Sequence, residues 1–532
     1  MRIAHRIEDV LPVLQFAEDE ARAGSHVAVM LSYEAAPAFD SALVAHEPSE
    51  FPLAWAAAFE DTSELTTNAN PLITLWSPRV ERDEYDRAVA RIRELIAAGD
   101  TYQVNYSFPL TSSFNGDAYE LYRNLCLAQG APYSAYLDLG RFKVLCLSPE
   151  LFFERCGNQV VTKPMKGTVK RGRWLEEDRA LAQWLAASVK DRAENVMIVD
   201  LLRNDLGKVA VPGSVRVSSL FDLERFETVW QMTSTVEATL KDGTSLIDLM
   251  TALFPCGSVT GAPKIRTMQI IRELERFPRG AYTGAIGFLK PGGDCIFNVA
   301  IRTVVIDTET GVATFGVGGG VTIDSTAERE YEECLVKSRF LHATPVEFQL
   351  FESLLLEDGE YFLLERHLER LRDSAEFFGF VFNEDEIRSA LERIAANGKV
   401  RLTLWKDGRI ETQVSAIEPS EVRRVTLASA PIDSSDHFLF HKTTKRPDGD
   451  DIIFWNERGE ITESTIANVV VRIDGELYTP PVESGLLAGT FRNHLLDEGK
   501  VKERVITIED FKNAGEVFLI NSVRKWMKAH LT

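Results

Sequence analysis

The sequence predicts a mixed α+β / α/β chain in two domains, and three observations carry that expectation. At 532 residues the chain is too long for one ordinary core. Apolar residues at helical spacing and at strand spacing alternate along it. Near residue 343 the texture changes from long strand and helix patterns to short hairpins, so domains of 1–343 and 344–532 are expected, with a short connector and no low-complexity linker.

From 82 to 98, RDEYDRAVARIRELIAAG reads as an amphipathic helix stopped by Gly99. TYQVNYSFPL alternates as a strand, and FKVLCLSPELFFER is an apolar strand interrupted at Ser148-Pro149-Glu150. A helix over about 176–190 puts Leu181, Leu185 and Val189 on one stripe, and ENVMIVDLLRNDLG follows as a second helix closed by Gly207. FPCGSVTGAPKIRTMQIIRELE is a glycine-rich loop entering a helix, with Pro263 in the first turn. AYTGAIGFL and CIFNVAIRTVVI read as strands of a buried sheet, and GVGGG reads as a loop leading to the helix AEREYEECLVKSRFL. Beyond 343, FQLFESLLL and EYFLL pair as a hairpin across Asp358-Gly359. The helix ERHLERLRDSAEFFGF follows, VRLTLWKDGRIETQV turns at Asp407-Gly408, and later strands surround ITESTIANVVVRI and EVFLINSV.

Apolar content of 45% with 26% charged residues is that of a soluble globular protein. The formal net charge of -21 argues against nucleic acid or an anionic membrane as partner, while a cleft with its own local field leaves an anionic substrate open. The six cysteines form no CxxC pair, which fits reduced thiols and a cytoplasmic location. No apolar run reaches membrane-spanning length, and MRIAHRIEDVLP lacks a signal peptide's apolar core. None of the nine histidines lies between 47 and 341, so acid–base or metal chemistry in that stretch falls to Glu, Asp, Lys or Tyr.

Within that stretch several residues stand out. Lys166, in TKPMKGTVKRG, sits between Met165 and Gly167, and an ammonium beside apolar groups is costly unless it is paired or has a chemical task. A solvated turn is the simpler account of the segment alone. Glu194 lies on one helix, and Glu330 with Glu333, three apart, can face one point from another. Carboxylates without histidine suit Mg²⁺, although EREYEE by itself also fits a solvated acidic helix. The glycines Gly316 to Gly320 and the SVTGAPK segment offer backbone N–H groups of the kind that bind carboxylate or phosphate. Arg302 stands in an otherwise apolar run, as a bidentate carboxylate clamp or as an ordinary strand-edge charge.

Taken together, SPELFFE, PMKGT, ENVMIVDLLRNDLG, FPCGSVTGAPKIRTMQII, NVAIRT and GVGGGVTIDSTAEREYEEC resemble the chorismate-utilising enzymes. That family includes anthranilate synthase component I, isochorismate and salicylate synthases, and aminodeoxychorismate synthase component I. The resemblance covers about 75 to 340; the part with LSYEAAPAFD fits more loosely and looks shortened. It implies a β-sandwich with helices. It also implies that Glu150 is the general acid expelling the chorismate 4-hydroxyl, and that Glu194, Glu330 and Glu333 hold Mg²⁺. Arg302, Tyr282, Ser258, Lys264 and the backbone of Gly318, Gly319 and Gly320 would grip substrate carboxylates. Gln103 falls where isochorismate-forming relatives carry a water-activating lysine, which disfavours water addition. PMKGT resembles the aminodeoxychorismate synthase motif, where anthranilate synthases carry alanine, and implies that Lys166 attacks C2 of chorismate. Gln231 departs from the histidine usual before a (V/L)ST segment.

ERHLERL, HKTTK, TESTIAN, LLAGTFRNHLL and FLINSV, over about 345 to 532, are similar to the fold-type IV pyridoxal-phosphate enzymes, such as D-amino-acid aminotransferases and aminodeoxychorismate lyase. By that similarity Lys442 forms the Schiff base and Glu463 pairs with the pyridine nitrogen. Arg370, with the backbone around Thr490 and Phe491, holds the phosphate, and Ser464 and Thr465 add donors. Lys445 departs from the asparagine usual at its position, and Arg524 is a further candidate for a substrate carboxylate. The two resemblances select each other. Together they imply conversion of chorismate to 4-amino-4-deoxychorismate, then to 4-aminobenzoate and pyruvate, for folate synthesis. No cysteine has a nucleophile-elbow context, so ammonia is expected from solution or from a separate glutamine amidotransferase subunit. A homodimer through the second domain is a further expectation. The alternatives are an anthranilate synthase joined to an aminotransferase, or a synthase with a degenerate second domain.

Overall fold

The computed structural model describes residues 1–60, 72–73, 75–342, 347–417, 423–446 and 451–532, so the boundary expected at 343 lies outside the described residues. The chain divides into two compact units, 1–170 with 182–345 and 171–181 with 346–532.

The first unit is built on two antiparallel sheets. One runs from edge to edge as Arg2–Ala4, Ala54–Phe59, His26–Leu31, Ala285–Leu289, Cys295–Val299, Leu151–Cys156, Gln159–Lys163, Val229–Thr239 and Met165–Lys170. The other runs Gly261–Ala262, Gln103–Asn115, Val312–Val321, Thr303–Asp307, Phe142–Ser148 and Tyr133–Asp138. Two-residue alternation decides which side each residue serves. Leu145 and Leu147 join a core with Tyr85, Val89 and Ile92 of the helix Arg82–Ala97. Val144 and Cys146 instead pack with Met30, Trp55 and Ile286 of the other sheet.

Of the chain crossings between the sheets, two short ones carry candidate residues. Strand Phe142–Ser148 passes through Pro149 and Glu150 into Leu151–Cys156 of the other sheet, as the interruption in the sequence suggests. CIFNVAIRTVVI is not one run: it divides into Cys295–Val299 and Thr303–Asp307, again in different sheets. Arg302 lies at the break with φ 51, a left-handed conformation that cannot continue a strand.

Three further expectations are corrected. The helix expected over 176–190 is Leu175–Ala187, and a new helix starts at Val189 with Ser188 as its N-cap, so Val189 is exposed instead of sharing the stripe of Leu185. Pro263 precedes the helix Lys264–Leu274 instead of lying in its first turn. GVGGG is strand, not loop, with Gly318, Gly319 and Gly320 opposite Ser107, Tyr106 and Asn105.

In the second unit a four-stranded sheet, ordered Glu360–Tyr361, Leu350–Glu357, Gly398–Leu404 and Ile410–Ser415, packs on the helix Leu364–Phe378. EYFLL contributes only its first two residues to a strand, because Leu363 (φ 57) turns the chain into the helix. Six further strands close into a barrel: Ile461–Ser464, Ile452–Trp455, Arg423–Leu427, Lys525–Leu531, Glu516–Asn521 and Asn468–Ile473, the last pairing back to the first. The segment 171–181 belongs to this unit, where the Arg179 guanidinium forks the Glu376 carboxylate at 2.7 Å. Among the described residues no helix is long and apolar enough to cross a membrane.

Candidate active sites

Lys166 is aimed by an irregularity in its own strand. Met165–Lys170 pairs with Val229–Thr239, but the register slips between Met165 and Thr168, and Gly167 adopts φ 96. Such a bulge re-directs a side chain. Gln231 clamps it: its amide donates to the Gly167 carbonyl at 2.8 Å and its carbonyl accepts from the Thr168 hydroxyl at 2.8 Å. The Lys166 ammonium lies 3.8 Å from Glu194. A Cβ placed on Gly320 would stand 2.4 Å from Lys166 Nζ and 2.7 Å from Gln103 Nε2, so these three residues meet at one point. The amide oxygen and nitrogen of Gln103 are both buried without a hydrogen-bond partner among the described residues.

Glu150, at its crossing, accepts a 2.6 Å hydrogen bond from Ser258 Oγ. Burial pushes its carboxyl up to about 7, against the opposing pull of Ser258 and of the Lys166 charge. Arg302, at the second crossing, has Nη1 buried with no partner among the described residues, and burial alone brings its guanidinium down to about 10. Tyr282 packs its ring on Gly316, whose missing Cβ would lie 2.3 Å from the ring.

The three expected metal ligands are each engaged by other groups. Glu194 lies near Lys166 and Lys190, Glu333 pairs with Lys337 at 2.8 Å, and Glu330 accepts from Ser325 Oγ at 2.7 Å. Among the described residues no three carboxylate, imidazole or thiolate groups stand together at metal-holding distance. The donor chemistry nonetheless suits a hard cation. Glu330 is buried, its carboxyl raised by burial and by the neighbouring Glu333, a situation that a cation relieves. Lys264 is paired as well: its ammonium donates to Asp205 at 2.9 Å and to the Leu253 carbonyl at 3.0 Å.

In the second unit Lys442 lies beside the strand Leu350–Glu357, its carbonyl accepting from Phe351 N at 3.0 Å. Burial, reinforced by the charges of Arg370 and Arg446, brings its amine down to about 7. Arg370 forks Glu352 at 2.9 and 2.6 Å and also donates to the Ala488 carbonyl at 3.3 Å. That carbonyl immediately precedes the helix Thr490–Asp497, whose first residue meets His367 at 3.2 Å. Arg370 and the helix start therefore form one cradle, with buried Phe491 packed behind. Glu463 is buried and takes hydrogen bonds from Arg446, Leu487 N and Asn468. Ser464 and Thr465 spend their hydroxyls locally, on Ala467 and Ile452. Lys445 lies over the Phe438 ring at 4.1 Å.

The model of the chorismate binding enzyme family matches residues 57–343, more than half of the chain. The chain belongs to the chorismate binding enzyme family. The amino-transferase class IV model matches residues 349–531. Aminodeoxychorismate synthase component 1 of Salmonella typhimurium is 43% identical over 284 residues, 53% of this chain and 62% of that protein. The Bacillus subtilis protein of the same name is 43% identical over 256 residues, 48% of this chain and 54% of that protein. Anthranilate synthase component 1 of Aquifex aeolicus is 40% identical over 267 residues, 50% of this chain and 53% of that protein. This chain thus spans between half and two thirds of these curated relatives. Among solved structures, anthranilate synthase component I of Streptococcus pneumoniae matches with a TM-score of 0.53 at 27% identity, over 62% of this chain and 85% of that one.

As a chorismate binding enzyme the chain brings together Lys166, Gln103, Gly320 and Glu194 at one point, and Glu150 with Ser258 at another. Sequence reasoning missed Lys337, which ties Glu333 to the Gly318 carbonyl (2.9 Å); its spacing of four from Glu333 was the available signal. It also missed Glu352, the buried acid of the strand Leu350–Glu357, and Arg446, four residues after Lys442.

Proposed function

We propose that the first unit aminates chorismate at C4 to give 4-amino-4-deoxychorismate, and that the class IV unit removes pyruvate from that product to give 4-aminobenzoate. The observation that carries the first step is Lys166, aimed by its bulge at Gly320 beside Gln103. The identity to aminodeoxychorismate synthase component 1 proteins supports it. The word component in those names also supports a separate subunit that supplies ammonia, a glutamine amidotransferase in this reading.

In this mechanism the Lys166 amine forms a bond to C2 of chorismate. Both ring double bonds shift, C1=C2 to C1=C6 and C5=C6 to C4=C5, and the C4–O bond breaks. Glu150, whose raised pKa keeps part of it protonated near neutral pH, gives its proton to the leaving hydroxyl, which departs as water. Ammonia then adds at C4, both double bonds shift back, and the C2–N bond to Lys166 breaks. Arg302, with its unpartnered buried nitrogen, is placed for a substrate carboxylate. Glu194, Glu330 and Glu333 would hold Mg²⁺, which would add positive charge beside a carboxylate; the ion pairs to Lys166 and Lys337 would then open.

In the second unit pyridoxal phosphate fits the residues present: a buried amine lowered to about 7, an arginine at a helix start, and a buried carboxylate. Lys442 would hold it covalently, Arg370 and the Thr490 helix start its phosphate, and Glu463 its ring nitrogen, shared with Arg446. When bound, this cofactor withdraws electrons from the substrate's amine-bearing carbon. Lys442, freed when the substrate amine displaces it, would take the proton from that ring carbon, the C–O bond to the enolpyruvyl group would break, and a proton returned to its methylene carbon would complete pyruvate.

The test is Lys166→Ala. Loss of a nucleophile lowers kcat by several orders of magnitude, roughly 10³-fold or more, at saturating chorismate. A rise in chorismate KM with kcat preserved would instead make Lys166 a binding residue.

A further inference from the structure

We infer that Lys399, Arg401 and Arg524 form a carboxylate-binding subsite beside Lys442, one that selects a doubly carboxylated substrate. Strand Gly398–Leu404 sends Val400, Leu402 and Leu404 into the core, so Lys399 and Arg401 emerge on its other face. In register Arg401 lies opposite Ser353 and Lys399 opposite Leu355, which puts both on the face that carries Phe351. The Arg401 guanidinium lies 4.0 Å from the Phe351 ring centroid, and Lys442 Nζ lies 5.0 Å from the same centroid. The basic face therefore borders the reactive amine.

Arg524 approaches from the turn after strand Glu516–Asn521, its backbone fixed by a 2.8 Å hydrogen bond to Asn521 Oδ1. Its Nε is buried with no hydrogen-bond partner among the described residues. Lys399 is disfavoured as an ammonium first by burial and then by two like charges, Arg524 and Arg401; no carboxylate acts on it. A fold that sets Lys399 within electrostatic reach of two guanidinium groups and leaves a buried donor unmet is relieved by an anion. Two guanidinium groups and an ammonium match the planar fork of carboxylate. The substrate proposed above carries two carboxylates, on the ring and on the enolpyruvyl group; an amine with one carboxylate would leave part of the set unpaired. The identity of the natural ligand rests on that lyase reading, whereas the subsite itself does not.

The experiment uses the full chain loaded with pyridoxal phosphate and titrates it calorimetrically with isophthalate and with benzoate. Isophthalate is expected to bind at least tenfold more tightly than benzoate. Arg524→Gln and Lys399→Gln should each weaken isophthalate at least tenfold, with Arg524→Lys recovering part of the loss. The cofactor absorbance band should be unchanged in all three, which reports a folded and loaded second unit. Equal binding of the two acids by the unaltered protein, or unchanged isophthalate affinity in both glutamine variants, overturns the subsite. If the isophthalate results hold while 4-amino-4-deoxychorismate yields no 4-aminobenzoate, the subsite stands and the lyase reading fails.

Discussion

Gly320→Ala places a methyl group where the Lys166 amine now sits. The new Cβ would lie 2.4 Å from Lys166 Nζ and 2.7 Å from Gln103 Nε2. Non-bonded contact between such atoms is comfortable at about 3.5 Å, so the amine must retreat by about 1 Å. Both obstructing atoms are the ends of flexible side chains, and Gly320 does not use a positive φ, so the backbone accepts alanine. The stability cost should therefore stay within the ~1–3 kcal/mol of mild overpacking. Catalysis should suffer more, because a displacement of about 1 Å from the attacking geometry costs roughly 10²-fold in rate. The assay follows chorismate consumption with saturating ammonium, alongside thermal unfolding and the cofactor absorbance of the second unit. A kcat within threefold of the unaltered protein would refute the placement of Lys166 as nucleophile against this glycine.

Arg302→Met should raise the chorismate KM at least tenfold while leaving Tm equal or higher, since it removes a buried guanidinium nitrogen that has no partner. A lower Tm with an unchanged KM would make Arg302 structural. Lys442, brought down to about 7 mainly by burial, should capture pyridoxal phosphate faster as pH rises from 6 to 8 and then level off; a flat rate over that range contradicts the depressed amine. The same shift has a signed effect on stability. The unfolded amine keeps its proton up to about 10.4, so between that pH and 7 the unfolded state binds more protons, and the apoprotein loses stability as pH falls through that window.

Much of this was legible in the residues, and the failures have physical causes. Period and caps gave the helix Arg82–Ala97 and its stop at Gly99, because both are local. The break at Ser148-Pro149-Glu150 was visible because proline announces it. The break at Arg302 was not, since nothing local marks a left-handed arginine; only the need to pass between two sheets demands it. GVGGG looked like a loop because glycine is usually read as a turn signal, yet here it keeps a strand bare so that Lys166 and Gln103 can approach. Lys264 donates to Asp205, a partner distant in sequence that no local pattern announces. Gln231, a departure from the family's histidine, has a definite task in holding the Lys166 bulge.

The most direct test of the account is product identification from chorismate and ammonium, with pyridoxal phosphate present, for the unaltered protein and for Lys442→Ala. The account predicts 4-aminobenzoate and pyruvate in equal amounts from the former, and accumulation of 4-amino-4-deoxychorismate without 4-aminobenzoate from the latter. Anthranilate as the product of the unaltered protein, or 4-aminobenzoate formed equally well by Lys442→Ala, would contradict it.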